Sequence, residues 1–271
     1  MLHMATVSES PLLTPLEGPP VRVLNASGPA RAVLVCEHAS RFIPATLRGL
    51  GLDAAAAQSH AAWDIGAMEL AVELMGALDA PLVAARVSRL VYDCNRPPEA
   101  PDSIPAKSEV YDIPGNTGLS TAERDARGHE IYAPFRATLA GALDARPDAS
   151  LLITVHSFTP VYNGRRRDVE LGILHDADDR AARHLLRALG DSGLRTALNE
   201  PYSAADGVTH TLRAHAIGRG LANVMIEVRN DLLDTPAGVN RIAGLLTPAL
   251  ARVIAEMDPE SAPDTNERAT P

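Results

Sequence analysis

Apolar residues recur along this chain at two spacings, unbroken short runs and a helical repeat. The runs cover 32–36, 81–85, 150–155 and 222–228. All four read as strands, and the first is apolar without alternation, which predicts burial on both faces. Weaker strand patterns cover 21–25, 90–94 and 169–174, the second stopped by Pro97-Pro98. The helical repeat is clearest in Met68, Leu70, Ala71, Leu74, Met75 and Leu78, which share one face. Further helices are predicted over 121–143, 177–189 and 235–257, with Thr121 in the capped start of the first and Pro248 kinking the last. Residues 209–218 are helix-like. Strands alternate with helices, so the expected fold is α/β: a single domain whose mixed, mostly parallel sheet is flanked by helices.

The ends read differently. Residues 1–20 are rich in Pro, Ser and Thr without periodicity, and are expected to form a flexible arm before a domain over 21–258. The tail, 259–271, is polar and expected to be disordered. Residues 99–118 form a loop long enough to suggest a functional role. The N-terminus lacks a basic region followed by an apolar core, and no apolar run reaches membrane-span length, so a cytoplasmic protein is expected, with no membrane partner. Cys36 and Cys94 each lie in an apolar stretch and offer neither a disulfide framework nor a paired metal motif. A formal net charge of -9 and an aromatic content of 3% argue against a nucleic-acid partner.

Three buried strands deliver ionisable groups at their carboxyl ends, where ligands bind in open α/β sheets. Ala32–Cys36 runs into Glu37, His38 and Ser40; the 150–155 run ends at His156 and Ser157; the 222–228 run carries Glu227 and leads to Arg229. Two histidines at equivalent strand ends, with carboxylates nearby, suggest a metal site. Zinc suits imidazole nitrogens and a carboxylate oxygen, and three protein ligands leave a fourth position for water. Asp64 is the chosen third ligand, from a loop leading into a helix. Its other reading is a helix cap, and Glu37 and His60 are alternatives. Glu227 has two readings as well: an ion partner of Arg229, or a general base acting on water. Asn95 and Arg96 offer donors for a substrate carboxylate, although Arg96 could instead pair with Asp93 or Glu99. Arg213 could reach an anion, Arg229 could orient Glu227 or bind a second substrate carboxylate, and one of Arg165, Arg166 and Arg167 could face an anionic substrate. Ser40 and Ser157 lack the Gly-x-Ser-x-Gly elbow, and there is no glycine-rich phosphate loop.

Val35-Cys36-Glu37-His38-Ala39-Ser40 with Pro44, His60-Ala61-Ala62-Trp63-Asp64-Ile65-Gly66, Asp93-Cys94-Asn95-Arg96-Pro97, His156-Ser157-Phe158 and Ile226-Glu227-Val228-Arg229-Asn230-Asp231-Leu232 occur in that order. On these motifs the chain resembles the N-formylglutamate amidohydrolase family, related in fold to zinc carboxypeptidases and aspartoacylase-like deacylases. The resemblance implies a phosphorylase/hydrolase-like fold and hydrolysis of an N-acyl amide on a small acidic amino acid. It also implies an order along the chain: metal histidine (His38), acidic ligand (Asp64), substrate-carboxylate pair (Asn95-Arg96), second metal histidine (His156) and catalytic glutamate (Glu227). Zinc carboxypeptidases carry His-x-x-Glu, whereas Arg41 stands three residues after His38. Two other functions fit the same residues: hydrolysis of another N-acyl or peptidoglycan-type amide, and non-catalytic binding of small acidic ligands.

Overall fold

The computed structural model describes residues 11–258; the first ten residues of the expected arm and the expected disordered tail lie outside the described residues. Seven strands form one sheet: β1 (Val21–Leu24), β2 (Ala32–Cys36), β3 (Leu82–Ala85), β4 (Leu151–Phe158), β5 (Leu171–Leu174), β6 (Thr196–Leu198) and β7 (Ala222–Arg229). Their order across the sheet is β1-β3-β2-β4-β7-β5-β6. The centre is parallel, β3 to β2, β2 to β4 and β4 to β7. β1 and β5 run antiparallel to their inner neighbours, which makes the sheet mixed.

The helices are α1 (Ala54–Gln58), α2 (Ala67–Leu78), α3 (Thr121–Arg127), α4 (Ala133–Asp144), α5 (Arg180–Ala188), α6 (His210–His215) and α7 (Pro236–Glu256). Alternate strand residues separate two cores. Leu34, Ile153 and Ile226 pack with α2, α5 and α7, while Val35, Leu152 and Met225 pack with α4 and α6. The central strands are therefore apolar on both faces, as their unbroken runs required. The start of α2 depends on Gly66, whose φ of +78 and approach to Leu233 leave no room for a Cβ.

Several elements differ from expectation for local reasons. Residues 90–94 are turns rather than a strand. The Ser88 hydroxyl accepts from the Leu90 amide at 3.2 Å, and the Asp93 carboxylate accepts from the Asn95 amide at 2.9 Å. Such side-chain bonds offer the backbone an alternative to a ladder, and Leu90, Val91 and Tyr92 are buried without one. The helix expected over 121–143 opens at Thr121 as expected, capped by Ser120 in a box with Glu123. A π-turn over Gly128–Tyr132 interrupts it just before Pro134, which has no amide to continue the ladder. Strand β6 escaped notice because it is a three-residue, half-buried edge without an apolar run. Residues 11–20 lie along the body: the Leu12 amide donates to Glu130 and the Thr46 hydroxyl donates to the Leu12 carbonyl, each at 2.7 Å. Among the described residues no helix is long and apolar enough to cross a membrane.

His215, on α6, is buried and its Nδ1 has no hydrogen-bond partner. Burial pushes its pKa down from 6.5 to about 4, and Arg219 and Arg136 add to the effect. The folded value lies below the unfolded one. Stability is thus complete above about pH 6.5 and declines as the pH falls toward 4. Between pH 7.5 and pH 5 this residue is expected to remove about 2 kcal/mol. Urea unfolding at the two pH values, with His215→Leu alongside, checks this. The variant should lose less stability than wild type on acidification, and equal losses would contradict the assignment.

Candidate active site

The parallel register of β4 and β7 places Glu227 opposite His156. Period-two alternation sends both side chains to the face of Leu152 and Met225. Glu37, one residue past β2 and in phase with Val33 and Val35, emerges on that face too, with Oε2 3.1 Å from His156 Nε2. His38 is carried out of the sheet by the turn after β2. Its carbonyl accepts from the Asp64 amide at 3.0 Å, which fixes the 60–66 loop against the strand end. Gly66, not Asp64, is the residue that caps α2.

The Asp64 carboxylate is the hub. Its Oδ2 lies 3.3 Å from His38 Nδ1 and 2.9 Å from His156 Nδ1, and its Oδ1 accepts from Arg89 at 3.2 Å. The far nitrogen of each imidazole faces another carboxylate: His38 Nε2 is 2.7 Å from Asp93 Oδ1, and His156 Nε2 faces Glu37. Each imidazole therefore has a carboxylate oxygen beside both of its nitrogens, with Asp64 shared at Nδ1. One potential ligand atom each from His38, Asp64 and His156 converge, all within 4.8 Å of one another.

The charges of the cluster act on one another. Four buried carboxylates, Glu37, Asp64, Asp93 and Glu227, surround the two histidines, with Arg89 the guanidinium that bridges Asp64 and Asp93. Burial alone would raise the Asp64 carboxyl, but His38, His156 and Arg89 hold it well below the usual carboxylate range. Burial opposes charge on His156 as well, yet Glu37 and Asp64 carry its pKa well above the ordinary value. Glu227 is the exception among the acids. Burial pushes its carboxyl up to about 7, Asp64 adds to the rise, His156 and His38 oppose it, and its Oε2 has no hydrogen-bond partner. His38, Asp64, His156 and Glu227 line one cavity of about 250 Å³ at the carboxyl end of the sheet, together with Arg89 and Arg96.

Residues 30–233 match the sequence model of the N-formylglutamate amidohydrolase family. The chain belongs to that family. Among solved structures, the gene product Atu2144 from Agrobacterium tumefaciens is 48% identical, with a TM-score of 0.88 over 91% of this chain and 99% of that one. N-formylglutamate amidohydrolase from Ralstonia eutropha JMP134 is 18% identical, with a TM-score of 0.64 over 88% of this chain and 98% of that one; at this identity the likeness is one of fold. A search of curated proteins gave no match. As a member of the N-formylglutamate amidohydrolase family the protein is an amide-cleaving hydrolase.

The residues present fit a metal. His38, Asp64 and His156 offer two nitrogens and one oxygen, a donor set suited to zinc. The opposite imidazole nitrogens are held by carboxylates, an arrangement common behind metal-binding histidines. Of the alternative third ligands, Glu37 holds His156 from behind, and His60 pairs with Glu109 at 2.8 Å.

The four expected substrate-binding residues divide. Asn95 and Arg96 reach the cavity. The Asn95 amide is engaged by the backbone, donating to Val208 and accepting from Thr211, so it clamps the 208–211 segment. Arg96 donates through Nε to Asp102 and through Nη1 to the Asn95 and Gly207 carbonyls, which leaves Nη2 without a hydrogen-bond partner among the described residues. Arg213 is largely exposed, 3.9 Å from Asp176, and is not part of the cavity wall. Arg229 pairs with Asp231 at 2.8 Å and Glu170 at 3.3 Å, not with Glu227, and also lies off the cavity wall. Sequence reasoning missed Arg89 altogether. Its one local signal was Asp93 four residues on; its other partner, Asp64, is brought in only by the fold.

Proposed function

We propose that the protein hydrolyses the N-acyl amide, N-formyl in the first instance, of a small acidic amino acid such as N-formyl-L-glutamate. The observation that carries this reading is the convergence of His38, Asp64 and His156 beside a buried Glu227 whose Oε2 has no hydrogen-bond partner among the described residues. These three residues would hold a zinc ion, which when bound supplies Lewis acidity to the acyl carbonyl. Glu227 takes a proton from the attacking water as its oxygen bonds to the acyl carbon. It then delivers that proton to the amine nitrogen as the C–N bond breaks, releasing the acid and the free amino acid. A carboxyl near 7 can both accept and return a proton at neutral pH. Arg96, whose Nη2 has no hydrogen-bond partner among the described residues, receives the substrate's α-carboxylate. Arg89 holds Asp64 and Asp93 in place and thereby orients His38. A cytoplasmic enzyme suits this reading, since both thiols, Cys36 and Cys94, are buried and unpaired.

The test is a substrate panel on zinc-loaded protein: N-formyl-, N-acetyl- and N-succinyl-glutamate, N-formylmethionine and a muramoyl-peptide amide, with release of the free amine measured. The expected result is turnover of N-formylglutamate with kcat/KM at least about 10-fold above the others. Preferential turnover of the muramoyl-peptide amide would redirect the reading to peptidoglycan-type amides. Zinc-loaded protein that turns over none of them would end it.

A further inference from the structure

A dicarboxylic substrate needs a second cationic partner beside Arg96. The chain uses arginine for 24 of its 25 basic residues, and the one lysine is Lys107. It stands in the 99–118 loop, whose length suggested a functional role, and it lines the cavity.

That loop forms one wall of the cavity, with Asp102, Pro105, Lys107, Ser108 and Glu109 on it. It is pinned along its length. The Asn116 amide group donates to the Pro105 and Leu90 carbonyls, each at 2.7 Å. Lys107 and Ser108 pair with Asp112 and Tyr111 in a small hairpin. At its turn Glu109 takes a φ of +52, and its carboxylate spans two neighbouring segments. Oε1 accepts from the Asn163 amide at 2.7 Å, and Oε2 lies 2.8 Å from His60 Nε2. His60 opens the loop that carries Asp64, so the backbone under Lys107 is tied to the same loop as the Asp64 carboxylate.

The other cationic or basic groups on the wall are engaged. Arg89 is shared by Asp64 and Asp93, Arg96 pairs with Asp102, His38 and His156 face Asp64, and His60 faces Glu109. Arg213 and Arg229 lie off the wall, and so does Arg167, which stacks on the rings of Phe158, Tyr162 and Tyr202. Lys107 differs from all of these. Its ion partner among the described residues is Asp112, at 3.6 Å, with the two side chains 62% and 79% exposed. A pair so open to water contributes little, and the ammonium can leave it for another carboxylate at little cost. Lysine carries a compact charge on a flexible four-carbon stem with three rotatable donors. Its base is fixed here and its tip is free to meet an incoming anion.

We infer that Lys107 is the contact for the substrate's side-chain carboxylate, the residue at the cavity rim that favours acidic over neutral N-acyl amino acids. The inference rests on the proposed amidohydrolase reading for its substrate class. Binding of the product amino acid tests it without requiring turnover.

A single lysine makes contact directly readable. Acetylation of the zinc-loaded full chain by an N-hydroxysuccinimide ester, followed by peptide mass spectrometry, reports Lys107 as the one side-chain amine. L-glutamate at saturation is expected to slow this acetylation at least about 5-fold, and its neutral isostere L-glutamine to leave it within about 2-fold. Calorimetry then compares the two ligands on wild type, Lys107→Met and Lys107→Arg, with thermal unfolding as the folding control. Wild type is expected to bind glutamate at least about 5-fold more tightly than glutamine. Lys107→Met should bring the two affinities together while leaving that for glutamine within about 2-fold, and Lys107→Arg should keep most of the preference. A charge that acts only at a distance would reproduce the Lys107→Met result without protecting the amine, and that outcome overturns the inference. So does a preference that survives Lys107→Met, or a wild-type protein that binds the two ligands equally or binds neither. The N-formylglutamate and N-formylglutamine turnover rates separate the two claims. A glutamate preference that depends on Lys107 in a protein that hydrolyses neither compound sinks the amidohydrolase reading and keeps the carboxylate contact. Turnover of both compounds at equal rates does the reverse.

Discussion

Glu227→Gln is expected to lower kcat by about 10³-fold, the scale of a lost general base, while leaving the fold intact. Glutamine keeps the volume and removes the proton relay, so any loss of turnover is chemical rather than steric. Stability should move in the opposite direction. Glu227 is buried, its Oε2 lacks a partner, and burial pushes its carboxyl up to about 7. An acid whose folded pKa exceeds its unfolded value stabilises the fold only while protonated. Wild type therefore loses stability as the pH rises from about 4.5 through 7. The metal-free glutamine variant should be more stable than wild type in urea at pH 8, by a margin that shrinks toward pH 5. This pairing of slower turnover with higher stability at pH 8 marks a group retained for chemistry. A folded variant with the wild-type rate would remove Glu227 from the mechanism, and a variant destabilised at pH 8 would make it a structural residue.

The parts of this site that the sequence disclosed are those set by strand geometry. His156 and Glu227 occupy the same step of two parallel strands whose first residues, Leu151 and Ala222, are register partners. A period of two and a shared starting line were enough to bring them together. His38 was equally legible, because an apolar run that ends in a polar cluster marks a strand's exit. What was not legible depends on turns. Period two placed Arg229 on the face of Glu227, but β7 ends at Arg229 and the following turn brings Asp231 to it. Arg213 lies on a six-residue helix, too short for its pattern to show which face meets the cavity. Arg89 and Arg167 both sit outside regular elements, and their partners, Asp64 for one and Tyr202 for the other, lie 25 and 35 positions away in the chain. No local spacing encodes such contacts. The basic run at 165–167 drew attention as a group, and the fold separates it into two exposed arginines and one half-buried arginine stacked on three rings.

Zinc content gives the second large effect. The wild-type protein is expected to hold about one zinc per chain, and His38→Ala and His156→Ala are each expected to lose it, with amide hydrolysis falling to background. Removing either imidazole leaves two donors where three converge, too few for a stable site. Asp93→Asn should behave differently. Asp93 touches Nε2 of His38, the nitrogen that faces away from Asp64, so its loss should free the ring to rotate and to shift its proton without removing a donor. Zinc affinity should drop about 10- to 100-fold, and activity should return when zinc is raised. This graded pattern separates metal binding from mere charge neutralisation. If the two histidines only paired with Asp64 and Glu37 as cations, all three variants would change stability and none would change a metal content that wild type lacked. Wild-type protein that takes up no zinc when it is supplied, or histidine variants that keep it, would therefore leave His38, Asp64 and His156 as a buried ion-pair network.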